Sequence, residues 1–209
     1  MARPGDRGQR DAPVTEISHE ARLVRGLQQR EEVAFREVMQ LYQHKVYNLV
    51  FRMLGSAEEA KDVAQDVFVT VFKSVDSFRG ESKFSTWLYR IAANHCKNRL
   101  KYLGRRSYKA TGELDDAAER EIADAPRSST TPHVDGPEKV LEGLELERMV
   151  QEGIRLLDEE HRMLVLLRDV DDLSYDEISS ITGLPEGTVK SRLHRARLQL
   201  KEHLAKRMR

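Results

Sequence analysis

The sequence of 209 residues contains a single cysteine, Cys96. An internal disulfide and a zinc site built from several cysteines are therefore excluded, which is consistent with a reducing compartment. No apolar stretch approaches the roughly 20 residues that a membrane-spanning helix needs, and residues 1–17 lack the apolar centre of a signal peptide. These absences predict a cytoplasmic protein without membrane insertion.

The sequence also lacks the motifs of common enzyme and cofactor sites. It has no glycine-rich phosphate loop, no nucleophile-elbow motif and no Cys/His spacing typical of zinc. Acidic residues are frequent between residues 113 and 124. They lie in a low-complexity stretch without ligand spacing, so a solvated spacer is favoured over a metal site. We therefore predict no enzyme activity, no catalytic residue, no metal and no cofactor.

Net charge is zero, because 35 basic residues balance 35 acidic ones, but the charges are strongly segregated. Residues 77–109 carry nine basic side chains and one acidic, and residues 187–209 carry eight basic and one acidic. Residues 110–147 between them carry three basic and eleven acidic side chains. Two basic blocks thus flank an acidic connector, and each block could attract an anionic partner such as nucleic acid.

Apolar residues recur at helical spacing and no strand pattern is present, which predicts an all-α fold. The pattern divides the chain into two small helical domains joined by a flexible linker. Residues 1–17 are predicted to be a disordered tail and residues 18–106 the first domain. Residues 107–137 are rich in Pro, Ser, Thr and Asp, which favours an acidic flexible linker. Residues 138–209 form the second domain.

Helix ends are marked by capping residues. Gly55 ends one apolar run, and Ser56 stands three residues before Glu59, the spacing of a capping box. Ser85 and Asp158 are suited to be the N-caps of later helices. The predicted first domain thus contains a helix from Ser56 onward and a second helix that begins after Ser85.

Aromatic and basic residues are interleaved from Ser77 to Arg106. The aromatic residues of this segment include Phe78, Phe84 and Trp87. In the following helix, cationic and polar residues fall on one stripe, which consists of Arg90, Asn94, Lys97, Lys101 and Arg105. Such a combination suits single-stranded nucleic acid, whose phosphates attract cations and whose unpaired bases stack on flat rings. The alternative is a surface helix with a solvated cationic face.

Residues 173–204 have the pattern of a helix-turn-helix. Ser174 and Glu177 have capping-box spacing, and Leu173 and Ile178 can form a hydrophobic staple. Gly183 permits a sharp turn.

Pro185 suits the first turn of the next helix, which completes the arrangement that fits a DNA major groove. The polar residues near the N-terminal end of that helix, where base edges are normally read, are Lys190, Ser191, His194 and Arg195. An amphipathic helical hairpin with a basic surface is the alternative.

Three segments give the chain a resemblance to the extracytoplasmic-function sigma factors of bacterial RNA polymerase, in the sigma-70 family, especially the sigma-E type. They read YQHKVYNLV, AKDVAQDVFVTVFKSVDSFRGESKFSTWLYRIAANHCKNRLK and LSYDEISSITGLPEGTVKSRLHRAR. The resemblance covers nearly everything from about residue 20 to 205 except the linker, and DSFRG followed by FSTWLYRIA is its most specific part.

The resemblance implies a sigma factor that directs core polymerase to specific promoters, opens the minus 10 element and initiates transcription. Residues 18–106 would correspond to sigma region 2 and residues 138–209 to sigma region 4. The implied partners are bacterial RNA polymerase core, promoter DNA and an anti-sigma factor.

The resemblance also implies roles for individual residues of the first domain. Core polymerase binding would involve Asp62, Gln65 and Asp66. The residues implied for the minus 10 element, some for an extruded base and some for the DNA backbone, are Phe78, Arg79, Ser82, Lys83, Trp87, Asn94 and Lys97. Trp87 lies between the basic and apolar stripes, so packing in the core is an equal alternative for it.

In the second domain, the residues implied for the minus 35 element are Lys190, Ser191, Arg192, His194 and Arg195, with Arg192 and Arg197 on phosphates. Two positions depart from the sigma-E pattern. Lys190 stands where arginine is usual, and His194 stands where an aromatic residue occurs. Since lysine lacks the planar fork with which arginine grips guanine, the promoter sequence is left open.

Two other functions are compatible with the basic helical domains. A helix-turn-helix transcription regulator acting without core polymerase would bind specific duplex DNA tightly on its own. An interaction module would use the basic faces to bind an acidic protein, and an anti-sigma factor would fit this description as well.

Overall fold

The computed structural model describes residues 14–111 and 137–207, with the side chains of residues 19–106 and 145–207. Throughout these ranges the chain is helical apart from turns and short connections, and they contain no β-strand, which confirms the all-α prediction for them. None of their helices is long and apolar enough to cross a bilayer. The helices are α1 (Val14–Gln28), α2 (Glu32–Leu54), α3 (Ala57–Ser74), α4 (Phe84–Thr111), α5 (Pro137–Arg155), α6 (Glu159–Val165), α7 (Tyr175–Thr182) and α8 (Glu186–Arg207).

Helices α1–α4 form the first helical unit. The second half of α2 contributes a nearly continuous buried run that includes Val46, Leu49, Val50 and Met53. A broad apolar face of α3 and the side of α4 that carries Leu88, Ala92 and Cys96 pack against it. Cys96 is a packed core residue, and burial raises the pKa of its thiol to about 12.

The turn between α2 and α3 follows the predicted capping chemistry only in part. Gly55 adopts the left-handed conformation with φ 75°, and its N–H donates to Phe51. The Ser56 hydroxyl accepts from the backbone N–H of Glu59 at 3.4 Å. The Glu59 carboxylate, however, accepts from Arg99 of α4. Glu59 therefore ties α3 to α4.

The start of α4 is capped from outside the local sequence, and the predicted N-cap is wrong. The helix begins at Phe84, so Ser85 lies inside its first turn. The backbone N–H of Phe84 donates to the carboxylate of Glu20 in α1. An acidic side chain satisfies this free N–H and interacts favourably with the positive end of the helix dipole.

Helices α5–α8 form the second helical unit. Asp158 caps α6 as predicted, because its carboxylate accepts from the backbone N–H of His161 at 2.9 Å. Helix α6 runs into a π-helical turn, residues 166–170, that ends just before Asp171. The core is formed by side chains of this turn and of α6–α8, among them Met163, Leu164, Leu166, Leu167, Ile178, Leu193 and Ala196.

Helices extend into both segments that were predicted to lack them. Helix α1 begins at Val14, inside the predicted tail 1–17, and α4 reaches Thr111, inside the predicted linker 107–137. The remainder of the tail and residues 112–136 lie outside the described residues.

The two helical units pack against each other. Helix α7 lies on α4, and α5 and α6 contact the end of α2. The Arg162 guanidinium donates to the carbonyl of Met53 at 2.7 Å, and the Arg155 guanidinium lies 5.6 Å from the centre of the Phe51 ring. These contacts place the predicted helix-turn-helix beside the predicted single-strand-binding segment.

Candidate nucleic-acid interface

The helix-turn-helix predicted from residues 173–204 is present as α7, a three-residue turn and α8. Ser174 and Glu177 form a complete capping box, with bonds of 3.2 Å and 2.9 Å. Gly183 has φ 74°, and its N–H donates to the carbonyl of Ser179. The Pro185 carbonyl accepts from the backbone N–H groups of Thr188 and Val189, in the first turn of α8. Local sequence signals thus account for the whole motif.

Helix α8 buries one face and leaves the predicted reading residues on another. Ser191, His194 and Arg195 are exposed, as is Lys190. The Lys190 ammonium pairs with Glu186 at 2.5 Å and lies 5.2 Å from the centre of the Tyr175 ring. This face presents donors and positive charge together, which is the chemistry needed at phosphates and guanine edges.

Two arginines predicted for phosphate contacts are paired with acids of the second helical unit. Arg192 donates to Glu160. Arg197 makes two hydrogen bonds to Asp169, one of 3.1 Å and one of 2.5 Å. The hydrogen bonds from Arg197 to Asp169 raise the pKa of its guanidinium further. Part of the positive charge of the two arginines is therefore neutralised within the chain. The same ion pairs hold α8 against α6 and the π-helical turn.

The loop before α4 is organised by an aromatic cluster that consists of Phe78, Phe84 and Trp87. The Phe78 and Trp87 rings lie 5.4 Å apart, and each lies 5.8 Å from the fully buried ring of Phe84. Trp87 and Phe78 are half-buried, so both pack and both keep an accessible edge. Trp87 thus packs against the core, as its alternative role required, and a DNA contact through its accessible edge stays a prediction.

Two open pockets border this loop. One of about 540 Å³ lies between α1 and the loop and is lined by Phe78, Arg79, Ser82 and Lys83. The other, of about 430 Å³, is lined by Phe78, Arg79, Ser82 and Trp87, and also by Ser180 of α7. The structure therefore brings together five of the seven residues predicted for the minus 10 element.

Asn94 and Lys97 lie farther along α4, outside both pockets. Asn94 is exposed and Lys97 half-buried, which leaves their polar groups accessible along the helix. His95, on another side of α4, is half-buried, and its ring lies 2.9 Å from the Thr70 hydroxyl. It thus links α4 to α3.

The residues predicted to bind core polymerase lie on the accessible side of α3. Asp62, Gln65 and Asp66 are all exposed. Gln65 also lines a groove of about 1170 Å³ between α2 and α3, whose floor is largely apolar. Its apolar side chains include Phe35, Met39, Phe68, Val69 and Phe72.

Sequence reasoning missed this groove as a functional surface. Val69 of α3 is 42% exposed and Phe72 is 38% exposed, so neither apolar side chain is buried in the core. The available signal was the width of the apolar stripe on α3, which is broader than one packed face requires.

Among the residues with described positions, no group of His, Cys, Asp and Glu is placed to hold a metal ion. The acidic residues 113–124, which were weighed as a metal site, lie outside the described residues.

Comparisons with known proteins match both helical units. Residues 38–106 match the family model for Sigma-70 region 2, and residues 147–200 match the model for Sigma-70, region 4. The sigma-E factor of Escherichia coli strain K12, an extracytoplasmic-function RNA polymerase sigma factor, is 40% identical over 175 residues, which is 84% of this chain and 88% of the relative. The sigma-H factor of Pseudomonas aeruginosa is 38% identical over 175 residues, which is again 84% of this chain and 88% of the relative.

Two solved structures share the fold. The sigma factor RpoE from Bartonella quintana, in complex with the anti-sigma factor NepR, aligns with a TM-score of 0.65 at 22% identity over 82% of this chain and 96% of that chain. CnrH in complex with the cytosolic domain of CnrY aligns with a TM-score of 0.61, also at 22% identity, over 89% of this chain and 97% of that chain. The two family models and the identity to the sequence relatives show that the chain belongs to the extracytoplasmic-function group of the sigma-70 family.

Proposed function

We propose that this protein is an RNA polymerase sigma factor that directs core polymerase to specific promoters, opens the minus 10 element and initiates transcription. The observation that carries this proposal is the 40% identity to a sigma-E factor across 84% of the chain, which includes both units. The protein contributes binding and DNA opening, whereas bond formation belongs to polymerase, so no catalytic residue is assigned. Its proposed place of action is the cytoplasm, where bacterial polymerase works.

Core polymerase is proposed to dock on α3 and the adjoining groove. Asp62 and Asp66 supply exposed negative charge, and the groove beside Gln65 supplies apolar surface. Exposed apolar patches rimmed by polar groups are typical of protein interfaces. A partner helix that combines apolar and basic side chains would complement both features.

The minus 10 element is proposed to bind at the loop and along α4. Separating the strands costs base stacking, and a pocket that holds an extruded base offsets that cost. The pocket of about 540 Å³ is the stronger candidate, because Phe78 offers an apolar edge and Arg79 and Lys83 offer cations. Asn94 and Lys97 would then contact the strand farther along α4.

The minus 35 element is proposed to bind the exposed face of α8. Lys190, Ser191, His194 and Arg195 would face the major groove, since the N-terminal half of a recognition helix normally reads bases. Arg192 is hydrogen-bonded to Glu160, and Arg197 to Asp169. We therefore propose that these arginines chiefly position α8, and that contacts with DNA phosphates are the smaller part of their role.

An anti-sigma factor is a further proposed partner. The two solved relatives described above are complexes with such proteins or with a cytosolic domain, and both share this fold. The groove on α3 and the basic surfaces are the proposed places of contact.

Reconstituted transcription tests the function. The purified protein is added to core polymerase, and the transcripts from a genomic promoter library are sequenced. Start sites that align on two shared upstream elements would support the proposal. Absence of initiation, combined with tight specific duplex binding by the isolated protein, would instead favour a regulator that acts without core.

Two substitutions separate the proposed surfaces. Arg195→Ala should impair recognition of the minus 35 element and leave core binding intact. Asp66→Ala should weaken core binding and leave duplex binding intact. Equal losses in both assays from either variant would contradict the assignment.

A further inference from the structure

Helix α1 lies beside the loop that precedes α4, residues 78–83. It contacts the 3₁₀ turn Val75–Ser77, which leads from α3 into this loop. Glu20, Arg25 and Gln28 of α1 line the pocket of about 540 Å³ together with residues of the loop. None of the residues predicted for DNA or core polymerase lies on α1. The wall that α1 forms is therefore without an assigned role.

The C-terminal end of α1 and the turn after it hold the chain just before the loop. The Arg30 guanidinium donates to the carboxylate of Asp76 at 2.6 Å and to the backbone carbonyl of Phe72. It also lies 4.8 Å from the centre of the Phe72 ring. The Gln28 amide donates to the Val75 carbonyl at 3.4 Å. Asp76 is the first residue of the segment DSFRG, so these contacts fix the point at which the loop begins.

Arg30 has a side chain at a position where the backbone favours glycine. It follows α1 by two residues and has φ 61°, in the left-handed region. A residue with a Cβ atom is strained there, and glycine is the usual residue just after a helix. Strained conformations persist where surrounding contacts hold them, and here the guanidinium makes those contacts. The arginine side chain therefore indicates a role beyond ending the helix.

A second contact from α1 holds the chain just after the loop. The Glu20 carboxylate accepts from the backbone N–H of Phe84, the first residue of α4. The fully buried Phe84 ring packs against the rings of Phe78 and Trp87. Glu20 thus fixes the position of the aromatic cluster beside the pocket, and α1 holds both ends of the loop.

We propose that α1 positions the base pocket of the minus 10 surface, with Arg30 holding one end of the loop and Glu20 the other. A loop held at both ends presents Phe78 and Arg79 in one arrangement, so an unpaired base binds without the cost of ordering them. Arg30, Glu20 and Asp76 are positioning residues, since they act through the loop. The effect on DNA rests on the proposed function, whereas the held loop rests on the contacts alone.

Fluorescence of Trp87 tests the held loop in the free full-length protein, because it is the only tryptophan of the sequence. Arg30→Gly removes the guanidinium contacts but also relieves the backbone strain, so the protein should stay folded. Quenching of Trp87 by acrylamide should increase, since the Phe78 ring, 5.4 Å away, is no longer held beside it. Gln29→Gly removes the exposed neighbouring side chain and is the matched control. Unchanged quenching in Arg30→Gly would overturn the proposal.

Binding of the non-template single strand of a mapped promoter tests the effect on DNA. Fluorescence anisotropy measures it for the protein bound to core polymerase. Arg30→Gly should weaken binding by about tenfold, the scale of one lost base contact. Arg36→Gln removes an equal charge from an exposed pair on α2 and should weaken binding much less.

Asp76→Ala separates positioning from charge, because the two effects have opposite signs. Loss of a negative charge beside DNA would by itself strengthen binding. Loss of the acceptor for Arg30 should instead weaken binding and increase Trp87 quenching. Tighter binding by Asp76→Ala would contradict the positioning role.

A matched pair of variants tests the other end of the loop. Glu20→Ala removes the acceptor for the Phe84 N–H, whereas Glu20→Gln loses the same charge but keeps a carbonyl oxygen. Glu20→Ala should increase Trp87 quenching and weaken binding of the single strand, and Glu20→Gln should remain close to the parent protein in both. Equal effects of the two variants would refute the role of this hydrogen bond.

The two measurements separate failure of this proposal from failure of the proposed function. Increased quenching in Arg30→Gly with unchanged binding of the single strand would show that the position of the loop does not govern DNA binding, against the proposal. A protein that never initiates with core would refute the proposed function. Increased quenching in Arg30→Gly and Glu20→Ala would then still support a loop held by α1.

Discussion

The Lys190 ammonium lies 2.5 Å from the Glu186 carboxylate, one turn earlier on α8. The hydrogen bond and the charge of Glu186 raise the pKa of Lys190. Glu186 also places a negative charge at the end of the helix that would meet DNA. The ion pair with Glu186 therefore restrains Lys190, the residue that replaces the usual arginine of the sigma-E pattern.

Glu186→Gln should strengthen binding to a promoter duplex that carries the minus 35 element. Removal of the acid frees Lys190 for phosphate or guanine, so the dependence of log affinity on log salt should steepen by up to about one. Fluorescence anisotropy across a salt series measures both quantities. Glu202→Gln, near the other end of α8, is the control and should change neither. A weaker affinity in Glu186→Gln would contradict the restraint.

Arg195 and Arg197 are close in sequence but should differ in their effect on DNA binding. Arg195 is exposed on the proposed reading face, whereas Arg197 is held by two hydrogen bonds to Asp169. Arg195→Ala should lower the salt slope by about one and relax base preference. Arg197→Ala should change the slope less and instead reduce the free energy of unfolding, by under about 1 kcal/mol for an exposed pair. Equal slopes for the two variants would show that the Asp169 pair opens on DNA.

The capping box of α7 gives a prediction about stability. Ser174→Ala removes the acceptor for the N–H of Glu177, and we expect a loss of about 1 kcal/mol in the free energy of unfolding. Ser191→Ala is the control, because that residue is exposed within a helix, where alanine is at least as favourable. Chemical denaturation monitored by circular dichroism compares the two. The prediction is wrong if Ser191→Ala is the more destabilising change.

Features set by neighbouring residues in the chain were predictable. Periodicity predicted the helices, and the capping residues Asp158, Ser174 and Gly183 marked the start of α6 and the two ends of α7. Each of these signals acts across three to five residues, so the sequence contains all the partners.

Features that depend on distant residues were not predictable in the same way. Ser85 was a reasonable N-cap, but the first N–H of that helix, on Phe84, donates to Glu20, 64 positions earlier in the chain. Glu59 had capping-box spacing, but its carboxylate binds Arg99, 40 positions away. The exposed groove on α3 and the contact of α7 with α4 arise only once helices pack, because periodicity identifies an apolar face without identifying what covers it.

The partly buried carboxylate of Asp171 predicts that the contact between the units depends on pH. Burial raises its pKa from 3.8 to about 6, and the attraction of Arg52 and Lys45 and the hydrogen bond from Tyr89 only partly oppose this. Other charged groups nearby on its own segment are engaged elsewhere, Arg168 with Asp172 and Asp169 with Arg197.

Protonation of Asp171 should therefore favour the closed arrangement, in which the two helical units are packed together. In separated units the carboxyl would be hydrated and would titrate near its ordinary value, so the closed form binds the proton more tightly. As pH falls through about 6 the closed form gains stability, and the gain is complete below the ordinary value of 3.8. Above about pH 6 the closed form carries the full cost of burying the ionised group.

Energy transfer between dyes on exposed positions of the two units measures this dependence. Glu58→Cys on α3 and Lys201→Cys on α8 are suitable, because the native Cys96 is buried and would not react. The closed fraction should rise as pH is lowered from about 7 to about 5. Asp171→Asn cannot titrate, so its closed fraction should be high and nearly constant over that range. If the closed fraction of Asp171→Asn still changes with pH, another titrating group causes the change and the prediction for Asp171 is wrong.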